Sequence, residues 1–146
     1  MESPFIKRST HKMTLDKLQE LTAEYQNFRR RNADTRQDAY QAGQDDAALT
    51  LLPVYDNLQR ALEQPCADEA YVTGISMTHK SLLKALEELG ITEIPALGQP
   101  FDPALHEALD HIEDETLAEN TVAKVVQCGF RREDRVLRPA LVIVAN

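Results

Sequence analysis

The chain is poor in the residues from which most active sites and membrane segments are built. Its 146 residues include no tryptophan, only five glycines and two cysteines, and aromatics make up 5%. With no glycine-rich loop and no GxSxG elbow, there is nothing to cradle a phosphate or to present a serine nucleophile. Cys66 and Cys128 lie far apart and in no CxxC, the pattern of two reduced thiols rather than a disulfide or a zinc site. No apolar run approaches the roughly 20 residues of a membrane span; the longest uncharged one, Pro139 to Ala145, has seven. The opening MESPFIKRSTHK carries basic residues with no apolar stretch behind them, so no signal peptide is read there. Basic residues are the minority charge, 16 Lys and Arg against 24 Asp and Glu for a net −8. On average such a chain is repelled by nucleic acid and by anionic membranes. These absences point to a cytoplasmic protein that is not an enzyme and binds neither nucleic acid nor membrane.

What the chain does have is helix-forming aliphatic sequence. Hydrophobic residues reach 42%, enough for a packed core, and the shortage of rings and glycines favours helices over an all-β domain. Leu18, Leu21, Tyr25, Phe28, Asn32, Thr35, Ala39 and Ala42 step alternately by three and four. That is a heptad seam, apolar at first and small or polar later, with Asn32 at an a position that favours a parallel two-stranded register. In such a pair Glu24 meets the partner's Arg29, while Arg31 opposes Arg36. The competing reading is an amphipathic helix folded back on its own chain; eight successive seam positions favour a dimer.

Gly43 and the acidic Asp45–Asp46 read as an interruption of the seam. Beyond them Leu49, Leu52, Leu58 and Leu62 recur at near-helical spacing, Pro53 is expected to kink the segment or reset its first turn, and Pro65 ends it. Asp68 then suits the N-cap of another helix with Tyr71, Ile75, Thr78, Leu82, Leu86 and Leu89 on one face and Gly90 just past its end. Gly74, inside that helix, costs about 1 kcal/mol against alanine, and a close backbone approach would explain it. Two such helices bury little alone, whereas two copies make a four-helix bundle.

After Gly90 the helical period disappears and Pro95, Gly98, Pro100 and Pro103 crowd together. ITEI, HEALDHI, TVAKVVQC and RVLRPALVIV have strand character, with a charged turn, RREDR, before the last. The fold class expected is therefore α+β: a long parallel paired helix (15–43), two short helices per chain in a dimeric four-helix bundle (44–90), and a small β domain (91–146), behind a poorly ordered N-terminus (1–14). On the final strand Leu141 and Ile143 are expected to face the core and Val142 and Val144 the opposite side, with Pro139 discouraging edge pairing.

His106 and His111 sit five apart, not at the i, i+4 spacing of HExxH, and on a strand they take opposite faces. One packed and one exposed histidine is the reading, and no metal or other cofactor is assigned. Arg29-Arg30-Arg31 with Arg36 is the basic cluster: either a solvated helix face or a contact for an acidic protein surface.

Four stretches together resemble one family, the GrpE-type nucleotide exchange factors of DnaK-class heat-shock chaperones: AEYQNFRRR (23–31), LLPVYDNLQRAL (51–62), FDPALHEAL (101–109) and CGFRREDRVLRPALVIVA (128–145). The likeness covers about residues 15–145. It implies a parallel homodimer whose β domain is set against the chaperone's ATPase domain, holding the nucleotide cleft open so that ADP leaves and ATP enters, without covalent chemistry. Carried over by motif, Arg29, Phe101, Pro103, Arg135 and Val144, and more weakly Val126, match positions that meet the ATPase; Arg138 is left as structural. The dimer interface implied includes Leu18, Leu21, Tyr25, Phe28, Asn32, Leu52, Leu58, Leu62, Gly74, Ile75 and Leu82. Relatives usually carry a longer acidic region before the paired helix, so roles tied to that region are set aside. The readings kept beside this one are a coiled-coil adaptor without effect on nucleotide and a small hydrolase or metal enzyme using His106 and His111.

Overall fold

The computed structural model describes residues 4–114 and 116–145, and the chain divides into two compact units, Met1–Gly43 and Gln44–Asn146. The first helix, α1, runs Pro4–Glu63. Of the N-terminal segment expected to be poorly ordered, residues 1–3 lie outside the described residues and the chain is helical from Pro4 onward. In the first unit the seam is a stripe on an otherwise polar helix. Leu18, Leu21, Tyr25 and Phe28 are each between 56 and 62% exposed. Contiguous apolar exposure of this kind is rare on a surface meant for water.

In the second unit the helix does not pause at Asp45–Asp46 or at Pro53. The reason is tertiary. Asp45, Ala48, Leu52 and Tyr55 are all buried and fall at i, i+3, i+7 and i+10, one face of a helix. The packing of that face outweighs the propensity cost of Gly43 and the hydrogen bond lost at Pro53. α1 ends at Glu63, just before Pro65. Helix α2 follows, Glu69–Glu88, and Asp68 caps it as the sequence implied: its Oδ1 accepts from the amides of Ala70 (3.0 Å) and Tyr71 (3.1 Å). Gly90 takes the left-handed φ of +78° that closes a helix. The face of α2 divides: Leu86 is buried, Ile75 and Leu82 are half-buried, and Tyr71, Thr78 and Leu89 are exposed. An alanine methyl at Gly74 would meet nothing within 4 Å in its own chain.

Six strands complete the described chain: β1 Ile91–Ile94, β2 His106–Ile112, β3 Thr121–Gln127, β4 Gly129–Arg132, β5 Arg135–Arg138 and β6 Ala140–Ala145. They form two three-stranded sheets, β1-β4-β5 and β2-β6-β3. In the second sheet β6 lies in the middle, parallel to β2 and antiparallel to β3. Two stretches that read as continuous in sequence, TVAKVVQCGFRR and RVLRPALVIV, are each split between the sheets. The chain leaves the second sheet at Cys128 and returns to it at Pro139, whose missing amide ends β5 without breaking a ladder in mid-strand. The two crossings touch, Gly129 against Ala140.

Two apolar clusters result. One joins helix to first sheet through Ala48, Leu52, Tyr55, Leu86, Ile91 and Phe130, with Leu82 packed against it. The other lies under the second sheet: Ala96, Val122, Ala140, Val142 and Val144, with Phe101 and Val125 at its edge. The facing expected for β6 is therefore reversed. Val142 and Val144 are buried and Leu141 and Ile143 half-buried, because the alternation fixes which residues share a face and not which face is covered.

Candidate functional site

The residues singled out by sequence fall on different parts of the molecule. Arg29 stands on the exposed helix of the first unit, its guanidinium 6.0 Å from the ring centre of Tyr25. In the second unit, Phe101 opens the FDPALH turn, half-buried, and Pro103 is exposed within it. That turn is braced by its own side chains. The Asp102 Oδ1 accepts from the Ala104 amide (2.9 Å), and the Asp102 amide donates to His106 Nδ1 (3.1 Å). The Phe101 ring lies 6.0 Å from that of His106. His106 is buried and His111 exposed, the packed and solvated pair the spacing implied. Val126 presents an apolar side chain on β3, 47% exposed.

Two of the residues assigned from sequence are buried. Val144, matched to a position that meets a partner, is 1% exposed and belongs to the core cluster under the second sheet, against which Phe101 packs. Leu52, assigned to the dimer interface, is equally buried in the cluster that joins helix to sheet. Leu58, Leu62, Ile75 and Leu82 are half-buried and retain surface.

Arg135 is the exposed cation of the site. Its side chain is 66% exposed, and its Nη1 lies 3.3 Å from the Asp45 carboxylate. The other Asp45 oxygen accepts from Arg132 Nε at 2.6 Å, and Arg132 Nη1 also donates to the carbonyl of Leu89. Two guanidiniums thus share one buried carboxylate, leaving a positive charge that is anchored at one end and open to solvent at the other. Arg138 is held differently. It meets Asp56 through both nitrogens of its fork (2.8 and 2.7 Å) and the Cys128 carbonyl through Nε and Nη2 (3.1 and 2.7 Å). Gln127 donates to the same Asp56 at 2.7 Å. With all three of its guanidinium nitrogens engaged, Arg138 is structural, as read from sequence. Asp45 and Asp56, the helix-side partners of these arginines, were missed. They stand eleven residues apart, close to three turns, and on one face with Leu52; that spacing was the available signal.

Between the helix and the first sheet, the Tyr55 hydroxyl donates to Glu93 Oε2 at 3.0 Å and lies 4.0 Å from Cys128 Sγ. Burial first, and the neighbouring Glu93 next, push the Cys128 thiol from its ordinary 9.0 up to about 12; burial, Cys128 and Glu93 likewise raise the Tyr55 phenol. Such a thiol is no nucleophile at neutral pH. Both groups are harder to ionise folded than unfolded. Their contribution to stability is therefore complete below pH 9.0 and is lost as pH rises toward about 12. Urea midpoints should accordingly fall through that interval, and a Cys128→Ala variant should show a shallower fall. A thiol reagent at about pH 8 should modify the exposed Cys66 and spare Cys128 until the fold opens.

Among the described residues no group of three or more histidine, cysteine or acidic side chains could hold a metal ion, and no helix is long and apolar enough to cross a membrane. Arg135 and the apolar Val126 stand exposed on strands β5 and β3.

The profile of the GrpE family matches residues 7–146. Protein GrpE of Clostridium acetobutylicum is 44% identical over 131 residues, covering 90% of this chain and 65% of that protein. Protein GrpE of Clostridium beijerinckii is 42% identical over 133 residues, covering 91% and 64%. Protein GrpE of Limosilactobacillus reuteri is 42% identical over 135 residues, covering 90% and 71%. The chain thus spans just under two thirds of the length of the two clostridial relatives.

Proposed function

The chain belongs to the GrpE family, and on that premise we propose that it is an adenine nucleotide exchange factor. In this reading it binds the ATPase domain of a DnaK-class chaperone in the cytoplasm as a homodimer and hastens ADP release without covalent chemistry. The observation that carries the proposal is the family match over nearly the whole chain, together with an exposed arginine, Arg135, anchored by a buried carboxylate on the β domain. The contact set is Arg29, Phe101, Pro103, Val126 and Arg135. Val144 acts from within the core, by shaping the surface above it. The dimer forms along Leu18, Leu21, Tyr25, Phe28 and Asn32, and continues through the half-buried Leu58, Leu62, Ile75 and Leu82. The open side of Gly74 supports a close approach by the partner's helix.

The mechanism needs only differential binding. If the factor prefers the open cleft and ADP the closed one, each weakens the other reciprocally. A hundredfold loss of nucleotide affinity corresponds to about 2.7 kcal/mol, within reach of one apolar patch and a few arginine–carboxylate pairs. Rigidity is what the factor must supply, and the clamped β domain supplies it.

Stopped-flow release of a fluorescent ADP from a DnaK-class ATPase domain tests this directly. Saturating protein should accelerate release by two orders of magnitude or so, roughly the hundredfold of the arithmetic above. Binding without acceleration would instead make the chain an adaptor and sink the proposal. Arg135→Ala should weaken chaperone binding while the dimer stays intact.

A further inference from the structure

Arg131 and Arg132 are adjacent on β4 and so point to opposite faces. Arg132 turns to the helix and is taken up by Asp45 and the Leu89 carbonyl. Arg131 turns the other way, into a cleft of about 360 Å3 lined by Ile94, Pro95, Phe101, Leu105 and His106. Among the described residues it is the one arginine of the β domain with no carboxylate within 4.0 Å; Arg132, Arg135 and Arg138 all have one.

His106, in the wall of the same cleft, is 5% exposed. Its Nδ1 accepts from the Asp102 amide, so the neutral ring carries its hydrogen on Nε2. That buried donor has no acceptor among the described residues, an unusual condition for a buried polar group. The acidic lining residue, Asp102, already uses Oδ1 to hold the Ala104 amide. The cleft is thus largely apolar in its walls, with Gln99 and Asp102 at its polar edge and the Arg131 guanidinium as its cation, and its volume falls in the range of ligand sites. It shares Phe101 with the contact set proposed above, and the exposed Leu97 lies on the loop between its lining residues Pro95 and Gln99.

From this we infer that the cleft receives an acidic side chain of the chaperone's ATPase domain, with Arg131 as its ion-pair partner and the His106 ring in the wall beside it. This deepens the exchange-factor reading and rests on it. It gives the β domain a second cationic contact, on the opposite face of β4 from the Asp45–Arg132 pair and separate from Arg135.

Arg131→Gln in the full chain is the test, because Arg131 has no ion-pair partner among the described residues and its loss leaves the fold alone. Affinity for the ATPase domain, measured by titration calorimetry, should fall about tenfold or more, as when one partner of a charged hydrogen bond is removed. The thermal midpoint should not move, the dependence of binding on salt should flatten, and Arg131→Lys should keep most of the affinity. Wild-type affinity in Arg131→Gln, alongside weakened binding by Arg135→Ala, would overturn the cleft's role and leave the exchange reading intact. A wild-type chain that neither binds the ATPase domain nor speeds ADP release would overturn both. Free glutamate is the remaining arm. If it shifts the His106 ring resonances of the isolated chain, and Arg131→Gln abolishes that shift without changing ATPase affinity, the cleft serves a small carboxylate and the docking role fails.

Discussion

Arg138→Ala is expected to destabilise the second unit by about 3–5 kcal/mol, the effect of stripping one partner from a buried ion pair. Both side chains are mostly enclosed, at 17% exposure for Arg138 and 15% for Asp56, so solvent screens little of the interaction. Removing the guanidinium leaves Asp56 with Gln127 alone, leaves the Cys128 carbonyl without its two side-chain donors, and takes a cation from 5.7 Å over the Phe130 ring. Urea unfolding should move to a midpoint lower by about 2 M. Arg138→Lys should rescue less than half of the loss, since an ammonium keeps the charge and lacks the fork. The companion measurement is the double variant Asp56→Leu with Arg138→Met. Replacing both ions by apolar groups removes the desolvated charge together with its partner, and should be markedly more stable than Arg138→Ala. A single variant as stable as the parent would mean that the pair is dispensable and that the apolar cluster alone holds helix to sheet.

Gly129→Ala should be as damaging by a different route. The added methyl would sit 2.4 Å from the amide nitrogen of Ala140 and 2.9 Å from its Cα and from the carbonyl carbon of Pro139. All three atoms are backbone, so no side-chain rotation relieves the overlap, and the two crossings between sheets must separate. Overpacking of this sort costs about 3 kcal/mol or more where the neighbours cannot yield. Loss of the near-ultraviolet dichroism of Tyr55 and of native urea resistance would report it. A folded Gly129→Ala chain with parental stability would show that the crossings can part without penalty.

Much of this architecture was legible in the sequence, for physical reasons. The cap at Asp68, the left-handed Gly90 and the stop before Pro65 depend on local chemistry, and each was read from a few adjacent residues. The apolar stripe from Leu18 to Phe28 was legible because residues three and four apart share one face of a helix. Arg138 was assigned to structure from its motif alone. What escaped was set by distance. Asp45 looked like a break in the helix because its partner, Arg132, is 87 residues away in sequence, and nothing local announces a pairing across that span. Pro53 read as a kink or a fresh first turn, and the helix runs on through it because the buried face of Ala48, Leu52 and Tyr55 outweighs the lost hydrogen bond. The burial of Val144 escaped because a strand's alternation is symmetric until a neighbouring layer covers one side. Arg131 escaped for the same reason: its face is defined only once Arg132 is known to turn toward the helix.

The place of β6 has a consequence for when the protein can exist at all. Both neighbours in the second sheet, β2 and β3, pair with β6 and not with each other, yet β6 is the last of the six strands to be synthesised. While Ala140–Ala145 are still inside the ribosome, β2 and β3 have no ladder to join, and the core around Val122 lacks Val142 and Val144. Helices form locally and early, but this sheet waits on non-local pairing. Birth order therefore delays the second sheet: a nascent or prematurely stopped chain offers helices without a finished β domain.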